Sequence, residues 1–217
     1  MGRKGTKNKD DMERYINQRV RNPPRMRVKG NIGENTILHG IDVCNTLTSA
    51  SDGTGHLVIP LIAGSGIGLE SSLSPLQNVA KVYNSFVFQS SSLKYIPSVG
   101  LNTPGNVTIC FLNNSESCHY ALESTRTHTE LKTLCLGQAN SVSHPVWHEF
   151  SYPMKLPARR KRFDVNGTSS IADVNIVERD CQGVFIVIVG GVTASTAITT
   201  PRRESRLLLE GLSVNVP

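Results

Sequence analysis

The charge of this 217-residue chain is confined to one end. Residues 1–29 hold 10 Lys and Arg against 3 acids, a net of +7, whereas the rest holds 13 bases and 14 acids, a net of −1. The sequence therefore joins two physical objects, a cationic leader and a nearly neutral body. The leader has few apolar residues (Met12, Tyr15, Ile16, Val20, Met26 and Val28) and passes through Pro23 and Pro24, so it cannot bury enough surface to offset the cost of ordering it. It is expected to be a largely disordered arm spanning residues 1–35. A mobile polycation condenses on phosphate by releasing counterions and needs no base sequence to do so. The nucleic-acid-binding candidates in it are Arg3, Lys4, Lys7, Lys9, Arg14, Arg19, Arg21, Arg25, Arg27 and Lys29. Gly2 and Thr6 fit a loose acylation pattern, but a pattern that fixes only two positions does not make a membrane anchor, and no membrane partner is expected.

The body, residues 36–217, reads as strands. Hydrophobic residues make up 38% of the chain and charged residues 18%, with Ser, Thr, Asn and Gly filling the difference, which excludes a coiled coil and favours turns and strands. The longest apolar run, Val184 to Val189, is far too short to span a bilayer, and no apolar stretch near Met1 marks a secretory signal. The five cysteines are accordingly expected as reduced thiols.

Short β-branched and aromatic runs recur between Gly, Pro, Asn and Ser clusters, the pattern of an antiparallel sandwich or barrel. Val107, Ile109 and Phe111 alternate after the Pro104-Gly105 turn, and Val146, His148, Phe150 and Tyr152 alternate before Pro153, so both are expected as half-buried strands. Phe86 and Phe88 share one parity and Leu93 and Tyr95 the other, so a strand running through Gln89 to Ser92 must bend or bulge there. Val184 to Val189 is apolar on both parities, as a central strand covered on both sides would be. Leu212, Val214 and Val216 close the chain with alternation. Helices are expected only as short connectors, one over Pro75–Lys81 capped by Ser74 and one over Ser117–Arg126.

The order Ala80-Lys81-Val82-Tyr83-Asn84-Ser85-Phe86-Val87-Phe88, then Ser92-Leu93-Lys94-Tyr95-Ile96-Pro97, then Thr103-Pro104-Gly105-Asn106-Val107-Thr108-Ile109-Cys110-Phe111 resembles the central strands of coat proteins of small positive-strand RNA plant viruses. The tombusvirus-like shell domain is the nearest pattern, at a size that leaves no room for a protruding domain and is closer to ourmiavirus and satellite-virus coat proteins. The resemblance implies an all-β fold, an eight-stranded antiparallel jelly-roll sandwich over 36–217. It further implies a capsid protein, not an enzyme, that self-assembles from many identical subunits and packages a single-stranded RNA genome through its arm. Such a protein would reside in the virion, and in host cytoplasm during assembly. A non-capsid viral RNA-binding protein, such as a silencing suppressor or movement factor, is the alternative. Parts of this group bind calcium between subunits. The matching positions here are Asn113 and Asn114, with Glu116 the nearest acid, a poor donor set for a hard cation unless acids from a neighbouring subunit complete it; no metal or cofactor is expected.

Other motifs carry less. A second basic run, Arg159, Arg160, Lys161 and Arg162, lies between Pro157 and Phe163 and would line a shell interior, meet acids of a neighbouring subunit, or sit in a solvated loop; it joins the RNA-binding candidates. Gly64-Ser65-Gly66-Ile67-Gly68-Leu69 lacks the last glycine of a dinucleotide loop and reads as a flexible turn. His144 and His148 are four apart, as metal ligands on a helix would be, but Pro145 and the alternating strand pattern put them on one sheet face at different heights. Cys118-His119 with Cys110 and Cys135 contains no CxxC pair and no orienting acid. Arg202-Arg203 beside Glu204 reads as a surface ion pair.

Overall fold

The computed structural model describes residues 27–29, 35–62, 79–80, 82–154, 163–164 and 174–212. In chain order the elements are β1 (Arg27–Lys29), β2 (Asn35–Val43), β3 (Leu47–Thr48), β4 (Gly55–Pro60), β5 (Tyr83–Tyr95), β6 (Asn106–Leu112), α1 (Ser115–Leu122), α2 (His128–Leu136), β7 (Val142–Pro145), β8 (Phe150–Pro153), β9 (Phe163–Asp164), α3 (Val174–Asp180), β10 (Val184–Gly190), β11 (Ala197–Thr199) and β12 (Arg202–Leu212). The first sheet has the order β1-β2-β12-β5-β8, with β9 also on β5, and the second has the order β4-β10-β6-β7. Every pairing is antiparallel. Two four-stranded sheets, β2-β12-β5-β8 and β4-β10-β6-β7, whose strands the chain visits by crossing repeatedly between layers, make the eight-stranded jelly roll.

The central strand β10 organises both layers of the core. Phe185, Val187 and Val189 point between the sheets, while Val184, Ile186 and Ile188 point to the other side, into a cluster with Cys118, Leu122, Leu131 and Cys135 of α1 and α2. Each such side chain contributes roughly 1.5–3 kcal/mol on burial, so a strand apolar on both faces gains only if both are covered. The neighbouring β6 behaves likewise, which corrects the half-buried reading: Val107, Ile109 and Phe111 enter the sandwich, and Cys110 and Leu112 pack under the helices. Gly183 lets β10 start there, since a Cβ on it would stand 2.2 Å from Phe111 Cζ.

The expected bulge is present. Leu207 of β12 faces Phe88 while Arg206 faces Ser90, leaving Gln89 as the extra residue. The parity switch brings Phe86, Phe88, Leu93 and Tyr95 all into the core. Between β9 and β8, where no strand among the described residues faces Phe88, the buried Gln182 side chain substitutes for one: its Oε1 accepts from Phe88 N at 2.6 Å and its Nε2 donates to Phe88 O at 2.9 Å.

Other expectations change. The alternation from Val146 to Tyr152 crosses a turn: β7 ends at Pro145 in the second sheet and β8 begins at Phe150 in the first. Val146 and Tyr152 are both buried, yet they belong to different segments. The helix expected over Ser117–Arg126 starts earlier and ends at Leu122, because the Asn114 side chain accepts from the amides of Glu116 and Ser117 and sets the start. The reading missed α2, although Thr127 and Glu130 form a reciprocal capping box, and it missed α3. Val79 and Ala80 are helical; the rest of the Pro75–Lys81 expectation, the Gly64–Leu69 turn and residues beyond Leu212 lie outside the described residues.

Arg203 is the main correction among the charges. It is 1% exposed, faces Asp42 directly in the β12–β2 register, and donates to Asp42 Oδ2 at 3.0 Å and to Pro60 O at 2.8 Å. The guanidinium thus ties two strands of the first sheet to the end of β4 in the second. Glu204, expected beside it, points the other way and meets His39 Nε2 at 3.5 Å. Arg203→Met leaves Asp42 buried without its cation and is expected to cost about 3–5 kcal/mol, measured as a lower urea midpoint with unchanged slope; Arg203→Met with Asp42→Leu should recover much of the loss.

Candidate nucleic-acid and assembly surfaces

Of the fourteen basic candidates, Arg27 and Lys29 fall in a described element. They form the ends of β1, which pairs with β2 at the edge of the first sheet with Arg27 opposite His39 and Lys29 opposite Ile37. Arg3, Lys4, Lys7, Lys9, Arg14, Arg19, Arg21 and Arg25 lie outside the described residues, as do Arg159, Arg160, Lys161 and Arg162. The cationic leader therefore joins the body along one edge of that sheet.

The solvent side of the first sheet is built from alternate residues of its strands. Leu207 and Leu209 of β12 are buried, so the opposite parity places Arg202, Glu204 and Arg206 outward. The register sets Arg206 between His39 and Ser90, and Arg202 between Val43 and Lys94. Arg206, His39 and Lys94 are exposed; Lys94 Nζ reaches Glu149 at 2.9 Å. Arg206, His39 and Lys94 escaped the sequence reading, although the spacing of Arg202, Glu204 and Arg206 at intervals of two was a legible signal of one polar strand face.

The second sheet carries the helices on its outer side. There α1 and α2 border an open groove of about 550 Å³ lined by Glu116, Ser117, Tyr120, Thr129, Glu130, Thr133 and Leu134. Arg126 stacks over the Tyr120 ring at 3.6 Å and pairs with Glu123 and, at 3.4 Å, with Glu130. Hydrogen bonds from Thr127 hold the Glu130 carboxyl below its ordinary pKa. At the corner where calcium was considered, Asn114 Oδ1 is already committed to the amides of Glu116 and Ser117, at 2.9 and 3.2 Å. One acid and one engaged amide do not fit a hard cation. Among the described residues no three His, Cys, Asp or Glu side chains are grouped to hold a metal. His144 and His148 are neighbours after all, with ring centroids 4.9 Å apart, because the β7–β8 turn folds His148 back beside His144 and Phe150.

All five cysteines are free and buried. A hydrogen bond with Cys135 and burial push the Cys110 thiol up, and burial pushes Cys181 up to about 12. Such thiols are poor nucleophiles. No helix among the described residues is long and apolar enough to cross a membrane.

The sequence matches the family described as viral coat protein (S domain) over residues 17–177. The chain belongs to that family. It is a viral coat protein whose body is a jelly-roll shell domain. The tobacco necrosis virus structure superposes with a TM-score of 0.67 at 14% identity, covering 88% of each chain. The maize chlorotic mottle virus structure gives 0.66 at 16% identity over 83% of this chain and 97% of the other. A virus-like particle of the giant freshwater prawn Macrobrachium rosenbergii nodavirus gives 0.62 at 12% identity over 87% and 89%. No curated protein matches the sequence. The fold of this coat protein is thus shared by viruses named for plants and for a crustacean.

On the helical side of the shell domain, His56 and His128 lie with ring centroids 6.2 Å apart. The surrounding protein strips water from both rings and lowers both pKa values, although one edge of His56 reaches solvent; the mutual charge adds for His56 and Lys132 adds for His128, against a smaller opposing pull from Asp52. A histidine whose folded pKa lies below its unfolded value contributes fully above the ordinary 6.5 and loses its contribution as pH falls through that value towards the folded pKa. Thermal unfolding midpoints of the coat protein should therefore drop below about pH 6.5, and His56→Gln with His128→Gln should flatten that decline; an equal decline in the variant would refute the assignment.

Proposed function

We propose that this coat protein assembles many copies of itself into a closed shell and packages single-stranded RNA through its cationic leader, with a structural and not a catalytic role. The virion, and host cytoplasm during assembly, are its places of action in this reading. One observation carries it: the chain's whole positive excess lies in residues 1–29, and the end of that segment is annealed as β1 to the edge of an otherwise nearly neutral sandwich. The leader then supplies a sequence-independent grip on phosphate. The body supplies a rigid wedge whose repeated contacts need only be weak individually, since a closed symmetric assembly multiplies them. The second basic run at Arg159, Arg160, Lys161 and Arg162 fits the same role as additional fixed charge for RNA.

Expression of the full chain and of a form lacking residues 1–26, which retains β1, tests this. The full chain should sediment as particles whose ultraviolet spectrum shows nucleic acid. Its binding to single-stranded RNA, given seven net charges, should weaken by roughly 10³-fold between 50 and 200 mM salt. The truncated form should lose most of the RNA. A full chain that stays monomeric and free of RNA refutes the proposal; RNA binding without particles would favour a non-capsid RNA-binding protein.

A further inference from the structure

The two outer sides of the sandwich differ in charge. The strands of the first sheet contain six bases and four acids, the three helices contain two bases and four acids, and the strands of the second sheet contain no charged residue except His56 and His144. Of the four acids of the first sheet, one is buried, two share a row at the far end of β12, and one lies on the solvent side between Arg202 and Arg206. Asp42 is buried against Arg203. Glu210 shares the register row of Ser85 and Asp164, towards the end of β12 far from Arg202. Glu204 is paired with His39. What is left on the solvent side is Arg206, which makes no ion pair among the described residues, with Arg202 and the exposed Lys94 facing each other in one register row four residues further along β12, where Lys94 also meets Glu149 at 2.9 Å; Ser90 and Ser92 of β5 and Glu204 of β12 lie between. In the same register row as Arg206 and His39 stands Arg27 of β1, the point where the leader arrives.

We propose that this open face of the first sheet is a second phosphate-contact surface for single-stranded RNA, with Arg206 and Lys94 as its principal contacts and Arg202 and the serine hydroxyls beside them. It rests on the RNA-packaging reading above and extends it from the leader to the folded body. The path is continuous: a strand held by the leader at the β1 edge meets fixed cations across β12 and β5, about 5 Å apart per strand and 13 Å between Arg202 and Arg206 along the strand. The helical side, with its acid excess, is the surface a polyanion avoids. Arginine and hydroxyl donors bind phosphate oxygens without reading bases, so the surface adds affinity and no sequence preference.

The test uses the full-length protein and a single-stranded RNA homopolymer. Arg206→Gln with Lys94→Gln should lower the slope of log affinity against log salt by about 1.4 and weaken binding roughly tenfold near physiological salt. Arg206→Lys should keep the slope, and Lys132→Gln on the helical side should change nothing. A double variant with unchanged slope, beside a leader deletion that loses binding, overturns this inference and leaves the packaging reading standing; a wild type that binds no RNA overturns both. A double variant that loses particles but keeps RNA affinity assigns the face to subunit contact and also overturns the inference. Should the variant lose its fold, acetylation of Lys94 in the wild type decides: slower labelling with RNA present is expected, and equal labelling refutes the contact.

Discussion

The need to cover both faces of β10 governs the rest of the structure. Its six apolar residues alternate between the inter-sheet core and the helix-covered side, and Phe185 meets Phe111 with ring centroids 4.9 Å apart while Ile186 packs under α1 and α2. A two-layer sandwich alone would leave Val184, Ile186 and Ile188 in water. The helices inserted between β6 and β7 answer that demand, although their own stripes are narrow: Leu131 and Cys135 are the buried residues of α2. The protein is therefore three layers deep on one side and a single open sheet on the other.

That asymmetry separates tasks. The helix-covered side has its polar groups engaged with one another, through the capping box at Thr127 and the Arg126, Glu123 and Glu130 cluster. The open side receives the leader at β1 and keeps Arg206 exposed, with Lys94 and Arg202 in a row beyond it. Between them, Arg203 spends its charge inside the sandwich, binding Asp42 and the Pro60 carbonyl, so one of the three arginines of β12 is structural and two face solvent. A coat protein needs such a division, because a basic surface that also formed the core would be ordered at high desolvation cost.

The sequence made the large features legible where periodicity and charge agree. Double-parity hydrophobicity identified β10, and the parity switch after Phe88 called for a bend or bulge between Gln89 and Ser92, which the β12–β5 register places at Gln89. Periodicity misled where it crossed a turn: Val146, His148, Phe150 and Tyr152 alternate by coincidence across two strands, since Val146 is buried at the start of the turn and Tyr152 by the first sheet. The second face of β6 was hidden because Cys110 and Leu112 gain their cover from α1, whose expected range did not say where it docks, and from α2, whose capping box was overlooked. Arg203 was unreadable for a different reason. Its side is fixed by strand parity, but its partner Asp42 lies 161 residues away, and only the register of β2 on β12 brings the two together. The cationic leader was the clearest functional signal, and its seat at the β2 edge is a tertiary fact that composition does not hold.

Electron cryo-microscopy of particles assembled from the full chain tests the account most directly, because it shows which side of the sandwich faces the enclosed RNA. The account predicts closed shells with the β1-bearing sheet turned to the lumen, the helices directed away from it, and nucleic-acid density beginning where β1 ends. Particles with that sheet on the exterior, or with α1 and α2 against the RNA, would contradict it.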